Sequence, residues 1–260
     1  MRLKCTSLFK TVSNVQNRCL RVILGAFRAT RIQSLETLAY VPPIELYLSA
    51  RLASYRARAA ATGIDRLIER HCQRIVDSVG RVARTDIAFV GFNRPAPLTW
   101  VREWAGDLGA ASMKRLHHNL LTRWKEAWNS GTRSSSEAFP KEPDKSALRL
   151  HAGLHKAESS ILTQLRTGKI GLAGFLHKTR VPGFHTGICQ HYEQGEETPW
   201  HVLIHCPRFQ GDREPLRHNG QLDFRWLLTD PIGVKRATRW WLRRNIVDQF
   251  RLANQLIKDG

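Results

Sequence analysis

Apolar positions along this chain recur at spacings of three and four, the period of a helix that buries one face. Val15, Cys19, Val22, Ile23, Ala26 and Phe27 predict a first helix, opening at an N-cap on Ser7 or Ser13. A short helix follows over Ile32 to Ala39, with Ile32, Leu35 and Leu38 inward. Pro42-Pro43 stops it, and Pro43 suits the first turn of a third helix through Ile44, Tyr47, Leu48, Leu52 and Tyr55, closed by Gly63. Ile64 to Val82 reads as one more amphipathic helix, with Cys72 in its apolar stripe. Leu116, Leu120, Trp124 and Ala127 or Trp128 restore the helical period after a Pro95-Ala-Pro97 loop, with His117 and His118 beside the stripe.

Asn129 to Ser146 is rich in Ser, Pro and Gly and reads as a linker. Beyond it, Leu150, Leu154, Ala157, Ile161 and Leu165 form one helical stripe to Gly168, and Ile170 to Lys178 a second, burying Leu172, Phe175 and Leu176. Leu222, Phe224, Leu227 and Leu228 predict a short helix ending at Asp230-Pro231, and Leu242, Ile246, Phe250, Ala253 and Ile257 a last one. The expected fold is all-α, with a helical head over 1–82, a connector and linker over 83–146, and a second helical module over 147–260.

Charge is what departs from an ordinary globular composition. Forty-one Lys+Arg against twenty-two Asp+Glu give +19 and a pI near 10.6, which points to a polyanionic partner, RNA or DNA first. No apolar run reaches the roughly 18–20 residues that span a bilayer, so no membrane partner is expected. Five cysteines at irregular spacing argue for a reducing compartment, nucleus or cytoplasm, and against a disulfide framework. The absence of acidic residues before Glu36 also fits a mitochondrial transit peptide, the minor alternative. Trp240 and Trp241 interleave with Arg239, Arg243 and Arg244, either as base-stacking groups among phosphate contacts or as core anchors under a solvated surface.

One stretch carries specific chemistry. Leu165 to Cys206 holds two of the five cysteines and five of the eleven histidines, including Cys189, His191, His201 and Cys206. Zinc takes four soft or borderline ligands in a tetrahedron, and a turn followed by a helix start supplies two each. Thr198-Pro199 opens such a helix, and His201 and Cys206, five apart, converge only if it ends or tightens near Cys206. His205 is an alternative fourth ligand. The competing account makes the thiols buried hydrophobes and the histidines surface groups.

Two passages resemble a known family. QNRCLRVILGAFRAT and SLETLAYVPPIELYLSARLASYRAR, over Val15 to Arg58, are similar to the segment after the polymerase core in reverse transcriptases of fungal LINE-type (non-LTR) retrotransposons. That resemblance implies a helical, thumb-like region tracking a template–primer backbone, with Arg18, Arg21, Arg28, Arg51 and Arg56 toward phosphates. SSILTQLRTGKIGLAGFLHKTRVPGF and EETPWHVLIHCPRF resemble the terminal Cys/His module of the same proteins. There the pattern is Cys-x-Cys, then His-x4-Cys; this chain keeps Cys189, His201 and Cys206 and has His191 where the second cysteine belongs. The implied cofactor is a structural zinc, and Arg166, Lys169, Arg239, Arg243 and Arg244 are the expected nucleic-acid contacts of this module.

The chain contains no Asp-Asp pair, no glycine-rich phosphate loop and no nucleophile elbow. The connector is too short and too poor in acidic residues for the ribonuclease H domain that such proteins often carry, although RWKEAWNSG resembles the segment following it. The sequence therefore predicts a non-catalytic nucleic-acid-binding remnant without a small-molecule substrate. The opposing expectation is a helical scaffold for protein contacts, or a gene fragment without selected activity.

Overall fold

The computed structural model describes residues 2–60, 63, 67, 70, 71, 74, 113–130, 142–193 and 195–253. Among them every regular element is helical, and β pairing is limited to two isolated bridges, Ile188 with Glu196 and His218 with Gln221. The chain is all-α. No helix among the described residues is long and apolar enough to cross a membrane. Most of the helix expected over Ile64 to Val82, including Cys72, lies outside the described residues, as do Pro95 to Pro97 and most of the linker.

Two compact units form. The first comprises Met1–Gln16 and Pro42–Ser130, the second Asn17–Val41 and Gly131–Gly260. This is not the expected partition, because residues 17–41, assigned by sequence to the head, pack with the distal module.

In the first unit, the start of α1 (Arg2–Leu24) accompanies α3 (Ile44–Ala60) and α4 (Met113–Ser130). The first helix runs through both Ser7 and Ser13, so neither caps it. The Gln16 amide ties α1 to the start of α3: its Nε2 donates to Pro42 O at 2.9 Å and its Oε1 accepts from Ile44 N at 3.0 Å. Among the described side chains of α3, the small Ala50 and Ser54 are buried, while Tyr47, Leu48 and Tyr55 are exposed, as is Leu67 beyond it. α4, which packs with α3, buries Leu120, Trp124 and Trp128; Ala127 and both histidines of α4 face solvent.

In the second unit, α1 buries Leu20 and Leu24 against Leu35 and Leu38 of α2 (Ile32–Ala39), whose extent matches the expectation. The expected apolar face is the wrong one: Val15, Val22, Ile23 and Cys19 are exposed. Tyr40, at φ +50, ends α2 in the left-handed region. What anchors this hairpin is α6 (Lys156–Thr167). Lys156 Nζ donates to Val22 O at 2.9 Å and also to Ile23 O, and Gln164 Nε2 donates to Gly25 O at 2.8 Å. Gly25, at φ +63, leaves the space that the Ser160 side chain fills. Phe27 lies 5.3 Å from Phe175 of α7 (Ala173–Lys178).

The distal stripe is broken where the sequence reads one helix. α5 (Ser146–Arg149) stops, Gly153 turns the chain at φ +71, and α6 restarts behind His155. Glu158 reaches back to His155 N at 2.8 Å, so α6 begins with a capping interaction, and Gly168 ends it in the left-handed region. Asp223 caps α8 (Phe224–Thr229) and Asp230 caps α9 (Pro231–Arg243), each accepting two backbone N–H groups. α9 therefore ends at Arg243, a short 3-10 turn, Asp248–Phe250, carries Phe250, and helix resumes over 251–253, the last described residues. α6, α8 and α9 enclose one core with Ile161, Leu162, Leu165, Leu227, Val234 and Trp241 at its centre.

Candidate metal centre

Cys189 lies in a tight turn after α7. Its N–H donates to Gly195 O at 2.9 Å, its carbonyl accepts from Tyr192 N and Glu193 N, and Glu193 takes φ +51 to close the loop. The Ile188–Glu196 bridge holds the two arms together. Downstream, Thr198 Oγ1 accepts from His201 N at 3.2 Å, the N-cap that the sequence predicts. From His201 to His205 the backbone then widens into a π-helix, and Cys206 N donates to His201 O at 2.7 Å. His201 and Cys206 were expected to converge only if the helix ends or tightens near Cys206. It ends there, ahead of Pro207, but by widening rather than tightening: an i→i+5 turn brings residues five apart to one side, and such turns concentrate at functional sites.

The result is a buried group. One ligand atom from each of Cys189, His201 and Cys206 lies within 4.8 Å of the others. The two Sγ atoms are 3.8 Å apart, too far for the roughly 2.05 Å of a disulfide. Two sulfurs each about 2.3 Å from a tetrahedral zinc stand about 3.8 Å apart. Cys189, Cys206 and His201 are 0%, 2% and 4% exposed, and His201 Nε2 has no hydrogen-bond partner. A buried nitrogen left without a partner costs about 1–3 kcal/mol; a metal ion would satisfy it.

Burial favours the uncharged form of both titrating side chains, thiol and imidazole. Burial raises the Cys206 thiol above its ordinary range; the neighbouring Cys189 adds to this, while the Arg208 N–H and Arg213 pull it back. Burial lowers His201, with Glu197 opposing and His205 and Arg213 reinforcing, so the imidazole is neutral and its lone pair available. Arg213, which sequence reasoning did not single out, fixes the turn: its Nη2 donates to Val202 O at 2.9 Å and to Cys206 O at 2.6 Å, and the residue is buried. A single arginine among forty-one basic residues carries no pattern that would mark it.

Two expected ligands are not brought in. His191 is exposed and its Nε2 meets Arg208 Nη1 at 3.0 Å, outside the buried group, because the turn after Cys189 points its side chain to solvent. His205 is exposed against Trp200, ring centroids 4.1 Å apart.

The expected phosphate contacts divide sharply. Arg18, Arg28, Arg51 and Arg243 are exposed, and Lys169 is half-buried with its ammonium 5.5 Å from the Phe175 ring. Arg21 is instead part of the fold, donating to Asn17 O, Arg28 O and Thr30 O around the end of α1. Arg166 is 2% exposed, and burial lowers its pKa to about 10, so it presents no cation to solvent. Arg239 pairs with the buried Glu158 at 3.1 Å and Arg244 with Asp212 at 2.6 Å. The side chain of Arg56 lies outside the described residues. Trp240 and Trp241 are core residues, and Trp240 Nε1 donates to Asp212 O, which removes the base-stacking alternative for this pair. No family model, curated protein or solved structure matches this chain.

Proposed function

We propose that this chain is a non-catalytic nucleic-acid-binding protein whose second unit is pinned by a zinc ion, the terminal part of a LINE-type retrotransposon reverse transcriptase. The observation that carries the reading is the buried Cys189–His201–Cys206 group with its partnerless Nε2, on a chain of net charge +19. Cys189, Cys206 and His201 are the residues that would hold the ion, and a water molecule, or His191 released from Arg208, would supply the fourth ligand. The ion supplies a cross-link between the turn after α7 and the π-helix, not a reactive centre. Exposed Arg18, Arg28, Arg51 and Arg243 contribute cations for phosphates.

Metal analysis of protein purified without chelator tests the first part. The expected result is one zinc per chain, lost in Cys206→Ala together with folding of the second unit; metal-free wild-type protein with the same thermal unfolding as chelated protein would refute it. A gel-shift titration with RNA and DNA tests the second. Retention at low salt with steep weakening toward physiological salt is expected, and no retention at any salt would refute it.

A further inference from the structure

Beside the Cys/His group the second unit opens a cavity of about 400 Å³, lined by Tyr192, Glu196, Thr198, Trp200, His201 and His205 among others. That volume is in the range of roughly 300–1,000 Å³ typical of ligand sites. Its walls are mostly π-systems. Trp200 and Tyr192 are 51% and 43% exposed, whereas Trp124, Trp128, Trp240 and Trp241 are buried and Trp226 is stacked under His218. Trp200 is therefore not a core anchor. Its ring is held by His205, centroids 4.1 Å apart, and that of Tyr192 lies 5.7 Å from His201, so the aromatic walls are set before any ligand arrives.

The rim carries two exposed cations, one of them already paired with a carboxylate of the lining. Lys178 Nζ pairs with Glu196 Oε1, and Arg208 lies on His191, next in sequence to Tyr192. Both cations are exposed, and each stands one residue from the lining or on it. Glu196 brings a carboxylate, an acceptor for exocyclic amino or ring N–H groups of a base. A planar heterocycle with N–H donors, followed along its chain by phosphates, matches all three features. A base inside a duplex does not qualify, because its faces are already stacked and its edge paired; only a splayed-out base can enter.

We infer that this cavity takes an unpaired nucleobase of a single-stranded nucleic acid, stacked on Trp200 and Tyr192, with the neighbouring phosphates on Lys178 and Arg208. The inference rests on the nucleic-acid reading above and adds a site and a strand preference to it. The test is fluorescence anisotropy of the full chain, purified without chelator, with a labelled RNA strand of about 12 nucleotides and the same strand annealed to its complement. Trp200→Ala is expected to weaken single-strand binding about 10- to 100-fold while duplex affinity stays within about two-fold, since stacking is lost and phosphate contacts are not. Trp200→Phe, which keeps an aromatic face, should bind the single strand within about five-fold of wild type. Unchanged single-strand affinity in Trp200→Ala, or an equal loss on both substrates, overturns the site while leaving nucleic-acid binding in place. Wild-type protein that binds neither substrate overturns both.

Discussion

Two titratable groups of the second unit, one buried and one half-buried, give it an unusual pH dependence. Glu36, 5% exposed in α2, has its carboxyl pushed up from 4.5 to about 7 by burial. His151 has its imidazole pushed down from 6.5 to about 4, by burial first and then by Arg166 and Lys156, while its Nδ1 meets Ser159 Oγ at 2.8 Å. Between about pH 4.5 and 7 the folded chain holds a proton on Glu36 that the unfolded chain has released, so this group's contribution is full below 4.5 and is lost as pH rises. Between about pH 6.5 and 4 the folded chain lacks a proton on His151 that the unfolded chain binds, so its contribution is full above 6.5 and is lost as pH falls. Each slope is about 1.4 kcal/mol per pH unit, about 3 kcal/mol over each full window. From pH 4.5 to 6.5 the two slopes have opposite sign and cancel. Glu36→Gln removes one and leaves the other. Its stability relative to wild type should climb by about 2–3 kcal/mol from pH 4.5 to 6.5, and that of His151→Gln should fall by the same amount. Urea unfolding followed by tryptophan fluorescence at several pH values across that window, read as variant minus wild type, measures both. A Glu36→Gln curve parallel to wild type would refute the assignment.

Gly25→Ala should destabilise the second unit by about 3 kcal/mol or more, because the new methyl meets Ser160 and the residue holds a positive φ; a thermal midpoint within error of wild type would contradict it. Replacing the exposed Arg28 by Gln should lower the slope of log affinity against log salt by about 0.7 on single strands, whereas Arg166→Gln should leave that slope alone and lower the thermal midpoint, since its guanidinium is buried.

Local signals located elements well and faces poorly. The span of α2 follows from the Ile32, Leu35 and Leu38 period and the Pro42-Pro43 stop, both of them local. In α1, however, Val15, Cys19, Val22 and Ile23 satisfy the helical period as well as Leu20 and Leu24 do. Which stripe is buried depends on α6, more than 130 residues away, through bonds such as Lys156 to Val22 and Gln164 to Gly25. The same distance effect moved residues 17–41 out of the head. In α3 the buried residues among the described side chains are Ala50 and Ser54, small groups that hydrophobic periodicity does not pick out. The break before α6 had a visible cause, Gly153, but Leu150, Leu154 and Ala157 keep their period straight across it.

The candidate metal centre divides in the same way. Cys189, His201 and Cys206 were legible because residue type and order carry ligand chemistry, and the Thr198 cap fixes where the helix starts. The π-turn was not, since periodicity distinguishes helix from strand and not a five-residue turn from a four-residue one. Its cause is also non-local: Arg213, seven residues beyond Cys206, takes up the Val202 and Cys206 carbonyls that a regular helical end would leave to water. A rare turn kept by a buried arginine, with a partnerless imidazole nitrogen at one end and a thiol at the other, is a geometry whose favourable contacts are incomplete in the protein alone. An α-turn at the same place would give Ile204 to Cys206 ordinary hydrogen bonds but would carry the Cys206 thiol about 100° around the axis from where a five-residue turn sets it. The widened turn is kept by Arg213, and it leaves His201 and Cys206 on one side, where together with Cys189 they could hold a metal ion.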